Sequence, residues 1–207
     1  MITFLIAGNN DYINFVKHAV EYVKWKKYFT LVYDLGQLGY GTKFEGKVSN
    51  VVHKRIPSKP AIILDGLSKI NKDDFLVWLD ADTLLMDNID EIEGDYDIGV
   101  TVRKKKSKKI QEAWINAGVI FVKNTDFSFR FLKTWIEKTS QRGGDQWALN
   151  ELCNLQTNTL ETISINEIKI KKFSCEIYNN FYFSENQEKA KILHYKNDVR
   201  NNYPYNY

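Results

Sequence analysis

The chain has 207 residues, 43% of them hydrophobic and 27% charged, with a formal net charge of +3. That suits one globular domain around a single sizeable core, and it is too weakly basic for wholesale nucleic-acid binding. Aromatics reach 14%, enough for stacking on sugars or bases as well as for the core. Cys153 and Cys175 have no metal-ligand spacing and read as buried free thiols of a reducing compartment. The apolar stretch from Met1 to Gly8 has no basic region before it and is too short for a signal peptide or a membrane span. A cytoplasmic protein without a transmembrane segment is the expectation.

Ile2 to Ala7 reads as a first strand, and Gly8-Asn9-Asn10-Asp11 as a turn, with Asp11 placed to cap a helix. Tyr12, Phe15, Val16, Ala19, Val20 and Val23 recur at helical spacing. A loop at the carboxyl end of a strand is where a nucleotide lies in open α/β sheets. Asn9 and Asp11 would hydrogen-bond its base or ribose and Tyr12 would stack on it, although helix-face packing explains Tyr12 equally well. No G-x-G-x-x-G is present. Phe29 to Tyr33 is a second strand, followed by a glycine-rich loop through Gly41, and Lys47 to Ile56 reads as a third. A helical pattern follows over Ala61 to Ile70, opened by Lys59. A lysine there would be solvated, or would meet a phosphate. Strand, helix, strand, helix, strand is the order of a parallel sheet with crossover helices.

Phe75 to Leu79 is an unbroken apolar run, as expected of a strand buried on both faces, and it ends in Asp80-Ala81-Asp82. Residues i and i+2 of a strand share a side, so both acids would face one spot. Buried carboxylates need a partner, and two together call for a cation. Oxygen ligands suit a hard divalent ion such as Mn²⁺ or Mg²⁺. Acids that merely cap the next turn are the plainer reading of so short a pattern.

An acidic turn, Asp87 to Glu93, precedes a strand over Tyr96 to Val102 and the basic run Arg103 to Lys109, a solvated loop or a lid over an anionic ligand. Asn116-Ala117-Gly118 then opens an apolar strand, with small residues that permit close backbone approach and an amide at its mouth. Phe127 to Lys138 is an amphipathic helix, and Gly143-Gly144-Asp145 starts another with Asp145 as a good N-cap. Strands follow over Thr162 to Phe173, then a polar-aromatic loop at Tyr178 to Tyr182. Ile192 to Lys196 is a last short strand, in which His194 is structural or, beside the acid pair, completes a metal site. No repeat or linker divides the chain.

Taken in order, these segments resemble the GT-A glycosyltransferases, and within them the family 8 group that includes glycogenin and lipopolysaccharide galactosyltransferases. Ala7-Gly8-Asn9-Asn10-Asp11-Tyr12 is similar to that group's uridine-holding loop, and Leu79-Asp80-Ala81-Asp82 to its metal-binding Leu-Asp-x-Asp. Ile115-Asn116-Ala117-Gly118-Val119 resembles its donor-sugar strand, and Asp145-Gln146-Trp147-Ala148-Leu149-Asn150 its Asp-Gln-Asp-x-Leu-Asn segment. His194-Tyr195 resembles its C-terminal His-Tyr-x-Gly, with Arg200 at the phosphate-binding cation position. Asn9, Trp147 and Asn197 depart from the usual residues, which are an acid, an acid and a glycine.

The resemblance implies an α/β fold of the GT-A, Rossmann-like kind: a mixed, mostly parallel central sheet flanked by helices. It would form a single domain over residues 1–200, with 201–207 as a polar tail. It implies a metal-dependent enzyme moving a sugar from a nucleotide-diphosphate sugar, UDP favoured, to a glycan or other hydroxyl acceptor, with retention of configuration. Asp80, Asp82 and His194 would hold Mn²⁺ or Mg²⁺. Ala7, Asn9, Asp11, Tyr12, Lys59, Asp80, Asn116, Ala117, Gly118, Lys196 and Arg200 would bind the donor, and Asp145 and Gln146 would be catalytic. An inverting transferase would use Asp145 as base. A haloacid-dehalogenase-like phosphohydrolase also carries Asp-x-Asp, but it wants Thr or Val where Leu84 stands and places the motif near its N-terminus. A non-catalytic nucleotide- or glycan-binding module is the remaining alternative.

Overall fold

The structure is a computed structural model that describes residues 1–8, 12–35, 58–103, 115–142, 144–153, 160–182 and 187–196. The expected third strand, the glycine-rich loop, the Asp11 cap, the basic run beyond Arg103 and the C-terminal tail lie outside these residues.

The main sheet contains β1 (Ile2–Gly8), β2 (Phe29–Asp34), β3 (Phe75–Leu79), β5 (Ile98–Val102), β6 (Ile115–Lys123), β7 (Ile163–Ile165) and β8 (Ile168–Ser174). Their order across the sheet is β2-β1-β3-β6-β5-β8-β7. The parallel pairs are β1 with β2, β1 with β3, and β5 with β8, and the other neighbours are antiparallel. Only β6 and β7 therefore run against the rest, and the mixed, mostly parallel α/β sheet is as expected. A smaller sheet joins β4 (Thr83–Leu85), β10 (Ile192–His194) and β9 (Asn180–Phe181) in the order β4-β10-β9.

Alternation along β3 explains its continuous apolar sequence. Leu76 and Trp78 face one layer, formed with α2 (Lys59–Leu67), α3 (Asp126–Arg142) and α4 (Asp145–Cys153). Phe75, Val77 and Leu79 face the other, formed with α1 (Ile13–Trp25), the segment around Ile89 and Ile92, and Tyr178 of α5 (Cys175–Tyr178). Both faces are covered, so no position on β3 has to be polar until the strand ends. The helical spacing read in the sequence holds for α1, which buries Val16, Ala19 and Val23, and for α3, which buries Phe131, Leu132 and Trp135.

The expected pair of strands near residue 162 is a hairpin, turned by Asn166 and Glu167 at positive φ. Both cysteines are free and buried, and burial pushes the Cys153 thiol up to about 12. Among the described residues no helix is long and apolar enough to cross a membrane.

Trp135 links this core to the far end of β3, because its Nε1 donates to the Asp145 carbonyl at 2.8 Å. Trp135→Ala is expected to cost about 3–5 kcal/mol. Urea denaturation measures it, and a change under about 1 kcal/mol would show that the indole does not hold α3 to α4.

Candidate active site

The site lies at the carboxyl end of β3. The strand stops at Leu79, and the chain turns, with Thr83 donating from both its backbone N (3.0 Å) and its Oγ1 (2.7 Å) to the Asp80 carbonyl. Here the structure corrects the sequence reading. Asp80 and Asp82 converge because of this turn, not because they alternate along a strand. β10 then returns from the far end of the chain and pairs with β4, setting His194 opposite Thr83, and Tyr195 N donates to the Asp82 carbonyl at 2.8 Å.

His194 is wholly buried, with Nε2 3.1 Å from Asp82 Oδ1 and 3.9 Å from Asp80 Oδ2. Ligand atoms of the three side chains lie within 4.8 Å of one another. Nε2 is shut off from solvent and makes no hydrogen bond despite its nearness to Asp82. A buried ring nitrogen aimed at two carboxylates without a hydrogen bond to either suits a cation ligand. The donor set, two carboxylates and one imidazole, fits a divalent ion such as Mn²⁺ or Mg²⁺.

Lys59 opens α2 after Ser58, in extended backbone, with Pro60 in the first turn. The solvated surface position weighed for it is wrong. Its side chain is 12% exposed, and Nζ donates to Asp80 Oδ1 and to the Ala117 carbonyl, each at 2.7 Å, and sits 3.7 Å from Asp145 Oδ2. Burial works against its charge, but Asp80 and Asp145 outweigh burial and hold the ammonium above the ordinary lysine value. Trp78 Nε1 also donates to Asp80 Oδ1, at 2.8 Å.

β6 forms the facing wall. The register between β5 and β6 shifts at Val100 and Thr101, and there α4 side chains complete the backbone bonding of β6. Gln146 Oε1 accepts from Ala117 N (3.2 Å) and Asn150 Oδ1 from Ile115 N (3.0 Å). Gln146 thus braces the wall whatever else it does. Asn116 is fully buried, and its Oδ1 accepts from Gly118 N (3.2 Å) and from Lys196 Nζ (3.1 Å). Burial pulls the Lys196 ammonium down, Asp80 opposes this, and Arg103 and Lys59 add to it. Asp145 is not the N-cap expected of it. It begins α4 itself, and its Oδ1 accepts from Gln146 N at 2.7 Å.

Of the residues singled out in the sequence, Lys59, Asp80, Asp82, Asn116, Ala117, Gly118, Asp145, Gln146, His194 and Lys196 join one bonded constellation. Ala7 is on the neighbouring strand β1, beside Gly8, and Tyr12 packs against Phe15 with ring centroids 5.9 Å apart. Asn9, Asp11 and Arg200 lie outside the described residues. Sequence reasoning missed Asn179, whose Oδ1 is 2.7 Å from His194 Nδ1, and Phe181, whose ring stacks on His194 at 6.0 Å. It also left Arg103 with the basic run, yet its guanidinium lies 4.9 Å from the centre of the Phe181 ring. Polar asparagines inside an otherwise aromatic stretch, Tyr178 to Tyr182, were the available signal.

The mixed, mostly parallel α/β sheet is that of the GT-A glycosyltransferases, and solved structures of similar fold are glycosyltransferases. One is involved in glycosylating the major capsid of PBCV-1 (14% identity, TM-score 0.65, covering 97% of this chain and 95% of that one). Another is the galactosyltransferase LgtC in complex with donor and acceptor sugar analogues (14%, 0.54, 95% and 87%). A third, GlyE of Streptococcus pneumoniae TIGR4, is matched over 54% of its length (14%, 0.57, 95% of this chain). A comparison with curated proteins finds no match. The chain belongs to the nucleotide-diphospho-sugar transferase family, whose profile matches residues 61–205. It is a glycosyltransferase.

Gly118 has to be glycine for this site to exist. A Cβ there would fall 2.3 Å from His194 Cε1 and 2.6 Å from Nδ1. Gly118→Ala is expected to displace the imidazole and destabilise the fold by about 1–3 kcal/mol. Thermal unfolding together with the histidine ring NMR signals checks this, and an unmoved His194 signal would contradict the packing.

Proposed function

We propose that the protein transfers a glycosyl group from a UDP-sugar to a hydroxyl of a glycan or other acceptor, with Mn²⁺ or Mg²⁺ held by Asp80, Asp82 and His194. The observation that carries this is the buried Nε2 of His194, which faces both carboxylates and makes no hydrogen bond, in a chain of this family. A divalent ion bound there supplies Lewis-acid neutralisation of the charge that grows on the leaving diphosphate.

The chain's own groups do the rest. Lys59 is already charged and already oriented, so it meets the donor without reorganisation. Lys196 adds positive charge on the other side of Asn116, bonded to a neutral amide rather than to an acid. Arg200, at the position of the family's phosphate-binding cation, would add a bidentate grip. Asn116, Ala117 and Gly118 line the sugar with small or amide-bearing positions, and Ala7, Asn9, Asp11 and Tyr12 would hold the nucleoside. Asp145 and Gln146, at the start of α4, would face the sugar and stabilise positive charge developing on its ring. The likeness to family 8 supports retention of configuration. Lys59 couples the two ends of this arrangement, since one ammonium serves both Asp80 and Asp145.

The first test is thermal stabilisation by nucleoside diphosphates with and without Mn²⁺. A ligand at about 100 times its Kd raises stability by roughly 2.7 kcal/mol. UDP should stabilise the protein only when Mn²⁺ is present, and Asp82→Ala should lose that increment. An Asp82→Ala protein that responds like the parent would end the metal assignment. Lys59→Met removes a charge-assisted contact worth about 1.5–3 kcal/mol, so turnover of UDP-sugar, including slow hydrolysis without acceptor, should fall by about ten- to a hundredfold. Binding of nucleotide with no release of sugar under any condition would favour a binding module instead.

A further inference from the structure

The metal site proposed above leaves open how a neutral imidazole comes to present a bare nitrogen, when either ring nitrogen can carry the proton. The answer lies in a buried chain of hydrogen bonds that ends on Asn179, a residue with no part in the donor site. Asn179 is completely buried. Its Nδ2 faces the Asn116 carbonyl at 3.1 Å, which can only accept, so the amide nitrogen must be on that side. Thr101 confirms the orientation. Its hydroxyl has one proton, which goes to the same Asn116 carbonyl at 2.8 Å, so its oxygen accepts from Asn179 Nδ2, also at 2.8 Å. The amide nitrogen thus faces two acceptors, and Oδ1 is turned to His194 Nδ1 at 2.7 Å. A carbonyl oxygen cannot donate, so the ring must donate from Nδ1. In the neutral ring that leaves Nε2 as a lone pair directed at Asp80 and Asp82.

We propose that Asn179 is a positioning residue, oriented by Thr101 and the Asn116 carbonyl, that holds His194 in the Nδ1–H tautomer and so presents Nε2 as the metal-ligating atom. The inference rests on the metal reading above. Three further contacts fix the ring plane. Phe181 stacks on it with the planes 10° apart, β9 and β10 pair Phe181 with His194, and Gly118 leaves room on the side of Cε1. Asn179 is itself anchored, its backbone N donating to the Cys175 carbonyl at 3.1 Å. The relay also ends on the backbone of Asn116, so the position of the ligand histidine and that of the sugar-facing strand are set by one set of bonds. Outer partners of ligand histidines orient the ring and raise its basicity, and their loss costs about 10–100-fold in metal affinity.

The test separates this inference from the metal reading by measuring the tautomer without metal. The protein has three histidines, so long-range proton–nitrogen spectra of the metal-free, histidine-labelled protein resolve His194, with His194→Gln giving the assignment. The wild-type ring should show the Nδ1–H form. Asn179→Leu should shift it towards Nε2–H and raise the Kd for Mn²⁺, followed by electron paramagnetic resonance in saturating UDP, by about 10–100-fold. Asn179→Asp keeps an accepting oxygen towards Nδ1 but loses the donor to Thr101 and the Asn116 carbonyl, so it should lower stability yet keep the Nδ1–H form and bind Mn²⁺ more tightly than Asn179→Leu. A merely structural asparagine would not show this rescue. Nε2–H in the wild type, or an unchanged tautomer and affinity in Asn179→Leu, would overturn the proposal. Should Asn179→Leu fail to fold, the wild-type spectrum and Asn179→Asp decide it. Wild-type protein with the Nδ1–H form but no affinity for Mn²⁺ would overturn the metal site and the purpose of the relay with it. Nε2–H in protein that does bind Mn²⁺ would overturn this inference alone.

Discussion

Two carboxylates brought together where a buried strand meets its turn cannot be left uncompensated, and the surroundings of Asp80 and Asp82 follow from that constraint. Lys59 and Trp78 both donate hydrogen bonds to the same oxygen of Asp80, while the other oxygen faces His194. The lysine is held by the first turn of α2, which packs on the same layer of core as Trp78. The histidine is held by a strand from the far end of the chain. Compensation is therefore built from three separate parts of the sequence, and the two acids keep oxygens directed at a common point. Placing that point beyond the carboxyl end of β3 agrees with how open α/β sheets bind their ligands.

The packing around this point leaves little freedom. Asn116 and Thr101 are fully buried polar residues on adjacent strands, at the register shift that interrupts the ladder between β5 and β6. Beside the irregularity, backbone groups of β6 are bonded by Gln146, Asn150 and Lys59. Two helices, α4 and α2, are thus tied to one short segment beside the bulge, and such irregularities are common beside active sites.

Much of this was legible in the sequence because it depends on local pattern. The unbroken Phe75 to Leu79 run, the acids after it and the Asn-Ala-Gly entry to β6 each report a strand end with polar or small residues where core residues would otherwise stand. What was not legible depends on which segments meet. Nothing near Lys59 says that it points inward, because its partners, Asp80 and the Ala117 carbonyl, lie on other elements. The strand rule placed Asp80 and Asp82 side by side for the wrong reason, since a turn and a strand can both bring i and i+2 together. Asn179 was unreadable as part of the site, because a buried asparagine looks like any loop asparagine until its four partners are known.

The dependence of the site on β10 has a consequence for how the protein comes into being. Strands β1, β3, β5 and β6 and their helices are made early, and they can pair and bury most of the core before residue 194 leaves the ribosome. Until then the acid pair has its lysine but not its histidine, and the ring that completes it arrives only with the last strand described. Long-range pairings of this kind form late, after the local and sequentially near contacts. The segments that bury most of the core thus precede in the chain the one ring that the acid pair faces across its turn.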